Sequence, residues 1–368
     1  MKDLKTYIQE LTELRGVSSQ EDNIISYMAP IFEKYGQKVR VDTLGNLICS
    51  FHTGIPNSKR LLIFAHMDEI GFIVRKVEQN GFLRVERIGG VHINVLPGLK
   101  VDVQGIKGVL PGFIGTTSHH FTKAHEKGKV PTTEDLYIDI GATSKEHAHK
   151  LGVQVGCMIT YHSDFTELPD NILTNKAMDN RAACAVLLKL AEQIYQWVPK
   201  LNWDIHLIAC VQEEFNIRGV LPAVRSISPD VSIGIDITPS FDTPDMVGYS
   251  DVIINNGPAI TCMNFHGRGT LAGVLPDSKL LKTLFDIAEK NKIKFQREVA
   301  LGVITENAFI SFEEKGIATA SLSIPARYTH TPIETISLRD VENTVSLLIS
   351  FIIQLEKSTS FGRSQIIK

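Results

Sequence analysis

The 368-residue sequence has almost no charge excess: 38 Lys and Arg stand against 41 Asp and Glu, a formal charge of -3. Such a balance projects no field toward a polyanion, so neither nucleic acid nor a membrane surface is an expected partner. Cysteine is sparse and scattered (Cys49, Cys157, Cys184, Cys210, Cys262), with no CxxC pair. That excludes a disulfide framework and a thiolate zinc site, and the five read as reduced core residues. No stretch approaches the roughly 18 apolar residues of a membrane span. The opening segment MKDLKTYIQELTELRG is charged throughout and lacks an apolar signal region and a small-residue cleavage site, so the expected compartment is the cytoplasm. Internal repeats and low-complexity tracts are missing too. There is no GxSxG elbow for serine chemistry, and GRGT at 267–270 lacks the context of a nucleotide loop.

What is present is a core. With 43% hydrophobic residues the chain can bury a full-sized interior, and its length suits two domains or one large domain with an insertion. Leu4, Tyr7, Ile8, Leu11 and Leu14 follow helical spacing. Ser18 to Glu21 has the form of a capping box, opening a helix toward Tyr35 that Pro30 should kink or shorten. The segments VRVDT and LICSF flank a turn, and RLLIFAHM, NWDIHLIACV and VSIGIDI are continuous apolar runs, as expected of strands buried on both faces. Helical patterns follow at about 179–197 and 219–227, which makes an α/β fold: a mixed sheet with helices on both faces. Residues 73–165 differ. Short strands broken by Gly and Pro, with no long helix, predict a small all-β domain inserted into a catalytic domain formed by 1–72 and 166–368. The polar stretch KAHEKGKVPTTED (123–135) reads as a mobile loop and the tail from Lys357 as frayed.

Chemistry gathers where the apolar runs end. RLLIFAHMDEIGF finishes with His66 and Asp68; VQEEFNIRG carries the doublet Glu213 and Glu214; VSIGIDI delivers Asp236; Asp179 lies in NKAMDNRAA and His330 in PARYTHTP. Ligands of open α/β sheets bind beyond the carboxyl ends of the strands, so these groups are expected to converge. Individually each has a plainer reading. His66 could be a hydrogen-bonded core histidine, Asp179 a helix N-cap, Asp236 a turn cap. Together, so many carboxylates would repel one another unless a cation sits among them. Imidazole and carboxylate without thiolate suit zinc, cobalt or manganese, and one carboxylate bridging two ions is a recurrent hydrolytic arrangement. One glutamate of the doublet can then be ligand and its neighbour general base, with Asp68 accepting the other ring N–H of His66. The remaining histidines considered, His52, His92, His125, His147, His149, His162 and His206, read as surface or core residues.

The blocks AHMDEIGF, NKAMDNR, VQEEFNIRG, IGIDI and IPARYTHTPIE, in this order, resemble the signatures of the tetrahedral (TET) aminopeptidases, the glutamyl aminopeptidase or cellulase M group; DLYIDIGATSKEHAHKLGV matches the return from their inserted domain. The resemblance spans about residues 1–355. It implies a dinuclear metallopeptidase domain with a PDZ-like or barrel-like β insertion, and dimers that assemble into a hollow dodecamer. It further implies that Asp179 bridges two ions, that His66 and Asp236 bind one and Glu214 and His330 the other, that Glu213 is the general base and Asp68 the orienting carboxylate. A histidine of the insertion would correspond to His120, with His119 adjacent, and the Asp179–Asn180 peptide would be cis.

Two segments depart from the family's habit: GVITENAFI puts Glu306 where Asp is usual and Ile304 where Gly is usual, and FNIRG has Asn216 after the doublet in place of a more usual glycine. The expected activity is removal of N-terminal residues from short peptides. A drifted amide or glycoside hydrolase, or a non-catalytic assembly protein, is the alternative; an intact base beside a ligand speaks against the latter, and no pair of free carboxylates outside the ligand set serves glycoside cleavage. Exposed strand edges in the insertion would be covered by a second copy, giving a homo-oligomer built from dimers.

Overall fold

The computed structural model describes residues 2–122, 128–267 and 273–363. Its centre is a twelve-stranded mixed sheet in which four neighbouring strands, Asp204–Cys210, Arg60–His66, Val231–Pro239 and Ala318–Arg327, run parallel. Antiparallel strands flank them, Leu47–Phe51 on one side and Glu334–Ser337 on the other. Alternation along a strand sends successive side chains to opposite faces. Leu61, Ile63 and Ala65 accordingly join a large core with the helices Leu4–Glu13, Met178–Trp197 and Leu338–Gln354, while Leu62 and Phe64 pack against the helix Leu221–Ile227 on the other face. Burial on both faces is why these strands read as unbroken apolar runs.

Six strands (Gly71–Val77, Leu83–Ile88, Lys100–Gly105, Gly108–Ile114, Tyr137–Asp139, Met158–Tyr161) close into a separate barrel with its own apolar interior. Closure removes the free edges expected of this segment, because each strand is paired on both sides. One short helix, Lys145–Leu151, sits on the barrel, capped by Ser144. Asp102 ties the barrel to the rest of the chain, accepting from Arg15 at 2.6 Å and His162 at 2.9 Å.

Three local expectations change. Helix Asp22–Tyr35 runs through Pro30 without being shortened, and no side chain caps its start. Ser18 does not cap it: its hydroxyl donates to Asp68 at 2.6 Å, and Glu21 accepts from the backbone of Ser19 and Gln212. A tertiary demand for a donor beside a buried carboxylate outweighs a local capping pattern. The tail to Arg363 packs back on the sheet domain, with Trp203 donating to the Glu356 carbonyl and Phe361 lying against Trp203 and Phe351. Residues 123–127 of the polar loop, 268–270 of GRGT and the last five residues lie outside the described residues.

Candidate metal centre

Four parallel strands open their carboxyl ends on one side of the sheet. His66 ends its strand, Asp236 lies near the end of Val231–Pro239, the glutamate doublet follows Asp204–Cys210, and His330 follows Ala318–Arg327. Asp179 enters from the start of helix Met178–Trp197, where Ala177 is left-handed and the Asp179–Asn180 bond is cis, as the resemblance implied. The doublet turns back sharply: a Cβ at Gly219 would lie 1.5 Å from the Val211 carbonyl oxygen, so only glycine lets this loop fold against its own beginning.

All seven residues singled out in the sequence meet here. His66 Nε2 is 3.1 Å from Asp179 Oδ1, 3.6 Å from Asp236 and 4.0 Å from Glu213. His330 Nε2 is 3.4 Å from Asp179 Oδ2 and 3.3 Å from Glu214. Asp179 thus turns one oxygen to each imidazole. Donor atoms of His66, Asp179 and Asp236 lie within 4.8 Å of one another, and so do those of Asp179, Glu214 and His330 and those of His66, Glu213 and Glu214. The first two of these triplets share Asp179 and fit two cations, and the oxygen and imidazole donors suit zinc-like ions. His119 and His120 are not part of this cluster; they sit exposed on the short turn His119–Phe121 of the barrel.

The positioning contacts are more elaborate than the sequence indicated. His66 Nδ1 donates to the backbone carbonyl of Asp68 at 3.1 Å, while the Asp68 carboxylate lies 3.5 Å away. That carboxylate chiefly holds the doublet, accepting from the backbone N–H of Glu213 and of Glu214, each at 3.0 Å. Glu334, given no role from sequence, accepts from the backbone N–H of Asp179 at 2.9 Å and of His330 at 2.7 Å, fixing two of the clustered residues at once. His330 Nδ1 donates to the Gly90 carbonyl at 3.0 Å, a contact supplied by the barrel's rim. Beside Asp68, Glu69 is bound by Lys176 at 2.8 Å and Arg181 at 3.5 Å, the two basic residues that bracket Asp179 in NKAMDNR.

Electrostatics follow from crowding. Burial pushes the carboxyls of Glu213, Glu214 and Asp236 above their ordinary range, Glu306 to about 7 and Glu334 to about 8. Burial opposes ionisation of Asp179 as well, but the two imidazoles outweigh it and hold that carboxyl low. His330 is raised first by the charge of Glu214; His66 is raised by Asp179, Asp236 and Asp68 against its own desolvation. Carboxyls that take up protons and imidazoles that keep theirs mark an excess of negative charge seeking a cation. The groups floor a crevice of about 590 Å³ whose walls include Asn216, Ile217, Ile237 and Ile304, with His92 and His266 also lining it. The sequence alone does not distinguish His92 from a surface or core histidine, and the structure sets it on the crevice wall.

This arrangement has relatives. The M42 glutamyl aminopeptidase family matches residues 45–347. The chain belongs to that family. It is 45% identical to the putative aminopeptidase SgcX of Escherichia coli (strain K12) over 92% of this chain and 90% of that one. Among solved structures it resembles an aminopeptidase from the archaeon Desulfurococcus kamchatkensis, with TM-score 0.89 and 34% identity over 96% of both chains. It also resembles the Pyrococcus horikoshii TET1 peptidase, with TM-score 0.85 and 27% identity over 96% of this chain and 100% of that one. The protein is a metal-dependent aminopeptidase. In this M42 peptidase Glu306 is buried and accepts from the Cys210 thiol at 2.9 Å, and Asn216 keeps the left-handed backbone, φ 80°, that a glycine would adopt there.

Proposed function

We propose that this aminopeptidase works with two divalent ions and removes N-terminal residues from short peptides. The observation that carries the reading is Asp179, whose two oxygens face different imidazoles. His66 and Asp236 would hold one ion, Glu214 and His330 the other, and Asp179 both; zinc or cobalt suits the donors best, with manganese admitted. When bound, the ions supply Lewis acidity that polarises the scissile carbonyl and eases deprotonation of water. Glu213, outside the two triplets that share Asp179, takes the proton of the attacking water on its carboxylate and delivers it to the leaving amine. Asp68 keeps Glu213 and Glu214 in register through their backbone N–H groups.

Residues 73–165 serve self-association in the same reading. The closed barrel offers no edges, but it exposes Ile106, Phe113, Phe121 and Val155, apolar side chains that a second copy would cover. The P. horikoshii TET1 peptidase assembles into a tetrahedron or an octahedral shell. A dodecamer of twelve 40.8 kDa chains is the corresponding expectation, a shell admitting short peptides and excluding folded proteins.

Metal analysis after loading with zinc or cobalt should find two ions per chain, and a chelator should abolish hydrolysis of aminoacyl anilides and short peptides until metal is returned. Full activity with one ion per chain overturns the dinuclear reading. Light scattering of a 40.8 kDa monomer would refute assembly, whereas a dimer would keep the interface and discard the shell.

A further inference from the structure

Beyond the ligand triplets and Glu213, three segments build the crevice walls. The turn after the doublet supplies Ile217, the strand Val231–Pro239 supplies Ile237 and Pro239, and the end of strand Gln296–Leu301 with the loop after it supplies Leu301, Val303 and Ile304. The remaining wall consists of Asn216, Thr329, glycines and the imidazoles of His92 and His266. Among the described residues no Lys or Arg lines the crevice, and its only carboxylates are the four on the floor, Asp179, Glu213, Glu214 and Asp236, committed to cations and to proton transfer.

A charged side chain entering this space sheds water without gaining an opposite charge, a loss that burial does not return. An aliphatic side chain gains from the same burial. We propose that this crevice selects peptides whose N-terminal residue is aliphatic or methionine, its side chain packing against Ile217, Ile237, Val303 and Ile304. The inference rests on the aminopeptidase reading of the same site and sharpens it. It also parts from the family's descriptive name, which specifies glutamate: a glutamyl carboxylate meets imidazoles here but no guanidinium or ammonium among the described residues. Ile304 adds to the apolar wall.

The test compares leucyl, methionyl, glutamyl and lysyl anilides on the metal-loaded, full-length enzyme. Leucyl and methionyl substrates should exceed the charged ones in kcat/KM by roughly tenfold or more. Ile304→Asp should move the lysyl-to-leucyl ratio by roughly tenfold toward lysyl with metal content unchanged. Should that variant not fold, Ile304→Ala, expected to lower kcat/KM for leucyl but not for lysyl substrate, asks the same question. Calorimetry with the hydroxamates of leucine, glutamate and lysine separates the two readings because it needs no turnover. Tightest binding of leucine hydroxamate without cleavage of any peptide would support the pocket and overturn the peptidase reading. Fastest hydrolysis of glutamyl or lysyl substrate, or equal binding of all three hydroxamates, overturns the aliphatic preference and leaves the peptidase reading standing.

Discussion

Two clusters of buried charge sit back to back in this peptidase, and they are balanced differently. Behind the crevice, Glu69 is fully enclosed and the chain itself provides its counter-charges, Lys176 and Arg181. In front, Asp179, Glu213, Glu214 and Asp236 share a floor with only two imidazoles. The first cluster is closed: Glu69 also accepts from the backbone N–H of Gly16, and Lys176 also donates to the Leu14 carbonyl. The second is short of positive charge by construction. Buried ion pairs stabilise only when geometry and hydrogen bonding offset desolvation. A chain that can do this for Glu69 yet leaves its neighbours uncompensated has reserved a place for cations from outside.

The sharpest division within the front cluster concerns the doublet. Glu213→Gln should retain two ions per chain while kcat falls by roughly two to four orders of magnitude, and Glu214→Gln should lose an ion. Metal analysis beside steady-state kinetics decides it, and the opposite pattern would swap the two roles. The rear cluster is tested by Lys176→Met, which leaves Glu69 with Arg181 alone and should cost about 3 to 5 kcal/mol. Thermal denaturation of the chelated protein reads that loss free of metal binding. An unchanged melting temperature would show that Arg181 suffices.

A third buried group, His206, is balanced by staying neutral. It is held by Ser50 at 2.9 Å, and burial, followed by the neighbouring His52, lowers its pKa to about 4. The unfolded chain, with an ordinary histidine pKa near 6.5, therefore takes up the proton first as pH falls. The contribution to stability is full above about pH 6.5 and is lost progressively down to pH 4, amounting to about 2 kcal/mol by pH 5. Melting curves at pH 7 and pH 5 should separate more for the native chain than for His206→Gln, and equal separation would remove His206 from the account.

The front cluster was legible in the sequence because its members lie at the ends of apolar runs, and strand burial is a local, compositional property. Convergence then followed from one rule about parallel sheets. The rear cluster was not. Glu69 and Lys176 are 107 positions apart, and nothing local in NKAMDNR distinguishes a buried lysine from a surface one. Glu334 escaped for the same reason, reaching Asp179 across 155 positions. Ser18 shows the converse error: a local pattern suggested a cap, and a carboxylate 50 positions away took the hydroxyl instead. The strands of the insertion were readable one by one, but their closure into a barrel is a property of pairing that alternation within each strand does not contain.

The contact between His330 and Gly90 gives the insertion a second significance. A Cβ at position 90 would come within 2.6 Å of the imidazole, so the barrel's rim and the histidine are fitted to each other at van der Waals range. The insertion therefore forms part of the wall of the reaction chamber. Excising or exchanging it, as one might graft a domain, would leave one imidazole without its anchor, and any force that tilts the barrel would be felt at the chemistry.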